Sequence, residues 1–151
     1  MKKLFIILTA LALVPVNLFS QPITNNRSPV TIKDAWIRPA AMNANSALFC
    51  EVVNNSSVPD TLVAAKGNFS ELVEIHETFK KENDMMGMRE VHNVAVPGKG
   101  ALILKPGSFH IMLIGLNKDL RLGEKYEVVL VLKRAGEIRV RALVRDMPAM
   151  K

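Results

Sequence analysis

From Val30 onward, turn-forming residues divide the chain into short segments at roughly 8–12-residue intervals, the spacing of an all-β domain. Apolar and β-branched residues mark segments at 30–38, 46–53, 60–65, 71–79, 86–91, 101–104, 109–116, 127–133 and 137–144. Between them stand Asn54-Asn55-Ser56-Ser57, Lys66-Gly67-Asn68, Pro97-Gly98-Lys99-Gly100, Pro106-Gly107 and Arg134-Ala135-Gly136. Those residues punctuate strands because glycine, asparagine and proline satisfy backbone angles that turns require. A helix-like stretch at 68–74 is too short to change the class. The 151 residues suffice for one domain with a real core and not for two of ordinary size. The expectation is a single all-β sandwich or barrel over residues 30–146, with a short tail at 147–151.

The first residues have a different character. Lys2 and Lys3 precede an apolar run at 4–13, which Pro15 and Asn17 end before Ser20 and Gln21. This is the layout of a secretory signal peptide over residues 1–20, and the run is too short to cross a bilayer as a helix. Residues 21–29 are polar and contain proline, a flexible lead-in. No cysteine follows the apolar run closely, so a lipid anchor is not indicated. An exported protein works in an oxidising compartment, yet Cys50 is the sole cysteine. It lies in the apolar run Ala47-Leu48-Phe49-Cys50, which points to burial. The formal charge is +6, or +4 without Lys2 and Lys3, and the cations are scattered. Without a basic cluster or stacking aromatics, nucleic acid is not an expected partner. The modest positive charge suits solubility or steering toward an acidic partner.

The chemistry concentrates in histidine and methionine. Met85, Met86 and Met88 follow the strand that carries His76, and His110 and Met112 sit two apart in another. Residues i and i+2 of a strand share a face, so His110 and Met112 point together while Ile111 and Leu113 point to the core. The same parity pairs Met86 with Met88 and sets Glu74, His76 and Thr78 opposite Val73 and Ile75. Thioether and imidazole together suit Cu(I) and suit Zn²⁺ or Mg²⁺ poorly. In an oxidising compartment they also avoid the disulfide chemistry that would consume thiolates. Each methionine alone reads more simply as core filler; it is the repeated His–Met pairing that points to a metal.

The spacing resembles the periplasmic copper chaperone family PCuAC, whose signature is His, a Met after about ten intervening residues, then 21 residues, then His-x-Met. Here 21 residues (89–109) separate Met88 from His110-Ile111-Met112, and 11 (77–87) separate His76 from Met88. The additional residue falls in the turn at 80–84, where an insertion is tolerated. Met86-Gly87-Met88, Val73-Glu74-Ile75-His76-Glu77, Asp34-Ala35-Trp36-Ile37-Arg38, Val52-Val53-Asn54-Asn55 and the segment 104–116 are similar to the family's pattern as well. The resemblance implies a cupredoxin-like Greek-key β-sandwich in the periplasm. It implies one Cu(I) held by His76, Met88, His110 and Met112, with Met86 in reserve. The partner would be a copper-accepting protein, the CuA subunit of cytochrome c oxidase or another periplasmic carrier. Two departures stand out. Thr78 occupies a position where many members have methionine, and the end of the chain lacks a His/Met-rich tail, which puts a Cu(II) site in doubt. His92 reads as solvent-facing.

Other functions fit less well. A cupredoxin electron carrier needs a thiolate near its histidine and methionine in sequence, and Cys50 has no histidine within the next 25 residues. A metalloenzyme needs an open coordination position with an acid or base, so no enzyme is expected. Copper buffering, or protein binding without metal, remain as alternatives.

Overall fold

The computed structural model describes residues 28–147. The expected signal peptide, most of the lead-in and residues 148–151 of the tail lie outside the described residues. Ten strands follow in chain order: β1 (Val30–Ile37), β2 (Ser46–Asn54), β3 (Asp60–Lys66), β4 (Ser70–Lys80), β5 (Met86–Glu90), β6 (Val94–Val96), β7 (Gly100–Leu104), β8 (Phe109–Leu116), β9 (Lys125–Leu132) and β10 (Gly136–Val144). No helix among the described residues is long and apolar enough to cross a membrane. The helix-like stretch at 68–74 is instead a bend at Asn68 and Phe69 followed by strand from Ser70. Ser70, Leu72 and Val73 pair with Leu116, Ile114 and Leu113 of β8, and that cross-strand partner outweighs weak local helix preference. β6 has no counterpart among the expected segments, because three residues between Asn93 and Pro97 are too few to show a period.

Hydrogen bonding runs β5-β4-β8-β2-β1-β10-β9-β3-β6, with β7 also paired to β2. β2 joins the halves of the sandwich: Ser46–Leu48 pair with β8, Cys50–Asn54 pair with β7, and β1 lies along the other edge. The sheet curls around one core. Ile37, Leu48, Leu62, Phe69, Ile75, Ile111, Leu113, Val128, Leu130 and Val144 are all buried in one cluster, each side chain contributing about 1.5–3 kcal/mol by leaving water.

A second, smaller apolar cluster lies on the opposite face of β1, β2 and β8. It consists of Trp36, Ala47 and Phe49, with Met112 packed against it. A β-bulge creates it. Between Lys33 and Trp36 the register of β1 against β2 shifts by one residue, and Asp34 takes a left-handed φ of 50°. An extra residue reverses the alternation. Val30 and Ile32 therefore face the main core before the bulge, Ile37 faces it afterwards, and Trp36 is turned outward onto Phe49, ring centroids 4.5 Å apart.

Candidate metal centre

Four neighbouring strands bring the expected residues onto the outer face that carries this second cluster. β4 and β8 are antiparallel in unbroken register, so His76 lies opposite His110, and Glu74 opposite Met112. Ala47 of β2 is opposite Met112 on its other side. Across β4 in the other direction, Thr78 lies opposite Met88 and His76 opposite Glu90 of β5. Paired residues project to the same side of a sheet, which puts Met112, His110, His76, Thr78, Met88 and Met86 on one face. The His76 and His110 rings stand 5.9 Å apart between centroids. Met88, His110, Met112 and Thr78 line a cleft of about 170 Å³ floored by Phe49 and bordered by Arg38.

The side chains are not equally enclosed. His110 is 4% exposed, sunk beside Phe49. Burial holds its pKa below the ordinary imidazole value; the Ser108 carbonyl opposes that shift, and the neighbouring His76 and Arg38 reinforce it. His110 Nδ1–H donates to the Ser108 carbonyl at 2.9 Å, which leaves the Nε2 lone pair free. His76 Nε2–H donates to Glu74 Oε2 at 2.8 Å. Its Nδ1 is buried and has no hydrogen-bond partner among the described residues. A buried acceptor left unpaired costs about 1–3 kcal/mol, and such a group calls for an explanation.

Met86 and Met88 are both 60% exposed. β5 is the edge strand, and it is held from its other face. Arg89 bonds Glu77 at 2.7 and 3.1 Å and lies 5.0 Å over the Phe79 ring. Gly87 makes this packing possible, because a Cβ there would stand 3.0 Å from the Phe79 ring. The loop from β4 to β5 closes with Lys81 N–H donating to the Met85 carbonyl, and Asn83 and Asp84 adopt left-handed φ.

Among the described residues, no three His, Cys, Asp or Glu side chains are grouped to hold a metal ion. The convergence is of two imidazoles with thioethers, a donor set suited to a soft monovalent ion. Cys50 has no share in it. It faces the main core, 4% exposed, and burial pushes its thiol up to about 12. His92 is solvent-exposed, 3.7 Å from Glu90. What the sequence reading missed is the Phe49 floor, backed by Trp36, and the bond from Glu74 to His76. The shared parity of Glu74 and His76 was the available sign of the latter.

The fold is that of PCuAC domains, a cupredoxin-like β-sandwich in a single domain. The apo PCuAC domain from PmoF1 matches with a TM-score of 0.66 at 28% identity, over 79% of this chain and 95% of that one. The Cu(I) form of DR1885 from Deinococcus radiodurans matches with a TM-score of 0.60 at 24% identity, over 81% of this chain and 83% of that one. The chain belongs to the LpqE-like family ("Putative lipoprotein LpqE-like"), which it matches over residues 30–144. A relative described as "Putative lipoprotein Lxx21020", from Leifsonia xyli subsp. xyli (strain CTCB07), is 30% identical over 117 residues, 78% of this chain and 70% of that protein. In the present chain the sole cysteine lies buried within β2.

Proposed function

We propose that this protein is an exported copper chaperone that carries one Cu(I) and delivers it toward the CuA centre of cytochrome c oxidase. His76, Met88, His110 and Met112 are its ligands. The reading rests above all on the opposition of His76 and His110, with Met112 and Met88 lining the cleft beside them. Four neutral donors suit Cu(I), which accepts a tetrahedral shell and prefers thioether sulfur to the oxygen ligands of harder ions. Thioethers also hold the ion less tightly than thiolates would, which favours handing it on. Support comes from the PCuAC domain of PmoF1 and from DR1885, whose structure contains Cu(I). Lys2, Lys3 and the apolar run at 4–13 support export to the periplasm.

Release proceeds by ligand exchange and requires no oxidation or reduction by the protein. Exposed Met88, on an edge strand, is the ligand an acceptor reaches first, while buried His110 is the last to let go. The test is transfer. Cu(I)-loaded protein is mixed with a metal-free CuA domain under anaerobic conditions, and copper is counted in each after separation. Delivery predicts that most of the copper moves to the CuA domain. Retention by the loaded protein would make it a copper buffer.

A further inference from the structure

The Glu74–His76 bond does more than satisfy two polar groups. We propose that Glu74 is a positioning residue for the metal site, holding His76 in the tautomer that presents Nδ1 to copper; the inference rests on the Cu(I) reading above. Glu74 and His76 are two residues apart on β4 and share its outer face. Their contact is 2.8 Å, with side chains 25% and 15% exposed, so water competes weakly for it. A carboxylate accepts and cannot donate, so the proton of the neutral ring sits on Nε2 and the lone pair on Nδ1. That Nδ1 is the buried atom with no partner among the described residues. The neighbouring ring has the opposite arrangement, because the Ser108 carbonyl takes the Nδ1–H of His110 and frees Nε2. Each histidine is thus held by one nitrogen and free at the other. Metal-binding histidines are commonly fixed this way by an oxygen acceptor, which also makes the ring a stronger donor. Glu74 further lies directly across from Met112, and its charge balances a monovalent cation among four neutral ligands.

The experiment uses Glu74→Ala and Glu74→Gln beside wild type. Long-range ¹H–¹⁵N spectra of the metal-free proteins report which His76 nitrogen carries the proton. Anaerobic Cu(I) competition gives the affinity. The expected result is protonated Nε2 in wild type, a mixture of tautomers in Glu74→Ala, and a Cu(I) affinity roughly 10–100-fold weaker in that variant. Glu74→Gln, whose amide oxygen accepts the same N–H, restores the tautomer and most of the affinity. An unchanged tautomer in Glu74→Ala would overturn the proposal. So would unchanged or tighter Cu(I) binding, which would make Glu74 a competitor for the ring nitrogen. If wild type binds no Cu(I), the copper reading itself fails, whichever His76 nitrogen the metal-free spectra show to carry the proton.

Discussion

His76 on β4 and His110 on β8 are direct cross-strand partners with ring centroids 5.9 Å apart. Six consecutive paired positions, from Leu72–Ile114 to Glu77–Phe109 and including theirs, keep the same register. The imidazole pair is therefore set by the sheet backbone rather than by loops. The thioethers differ in how they are held. Met112 packs on the Trp36–Phe49 cluster, whereas Met88 stands free on the edge strand.

Met88 and Met86 are equally exposed, but Met88 lines the cleft with His110 and Met112. Met88→Ala should weaken Cu(I) binding by about tenfold or more, equivalent to ~1.4 kcal/mol. Met86→Ala should change it by no more than about twofold. Neither removes buried packing, so urea unfolding should place both within about 0.5 kcal/mol of wild type. Chelator competition beside urea titration measures both effects. The reverse order of affinities would transfer the ligand role to Met86.

Cys50 should be chemically silent. With its thiol pushed up to about 12 in the core, a disulfide reagent at neutral pH should label it only after unfolding. Cys50→Ala should retain the wild-type Cu(I) stoichiometry and lose on the order of 1 kcal/mol of stability through reduced packing. Fewer copper ions bound by Cys50→Ala would restore a thiolate-containing centre to consideration.

Much of this arrangement can be read from the sequence, for a physical reason. A strand's two-residue period is visible in Val73-Glu74-Ile75-His76 and in His110-Ile111-Met112-Leu113, so the face of His76, His110 and Met112 follows from their neighbours. The pairing of β4 with β8 does not follow, since register depends on partners distant in sequence. Nor does the outward turn of Trp36. Unbroken alternation from Val30 and Ile32 would send it into the core, and the bulge at Asp34 reverses that. The depth of His110 is a consequence of this second cluster and is equally invisible in the strand pattern.

Asp60, 5% exposed at the start of β3, accepts the backbone N–H groups of Thr61, Arg134 and Ala135 at 2.7–2.9 Å, tying β3 to the β9–β10 hairpin. Burial alone would raise its pKa, but these donors outweigh it and hold the carboxyl below its ordinary value. A carboxyl whose pKa is depressed on folding stabilises the native state above its unfolded value of about 3.9. That stabilisation is lost as pH falls through the folded value. Asp60→Asn should cost about 1–3 kcal/mol at neutral pH. Urea unfolding between about pH 6 and pH 3 should show the gap between variant and wild type narrowing at the acid end. A gap independent of pH would show that the charge contributes nothing.

The central claim is that these strands hold one Cu(I). An anaerobic Cu(I) titration against a chromophoric chelator, with wild type beside the His110→Ala/Met112→Ala double variant, tests it most directly. One equivalent taken up by wild type and none by the double variant is the predicted result. No uptake by wild type, or equal uptake by both proteins, would contradict it.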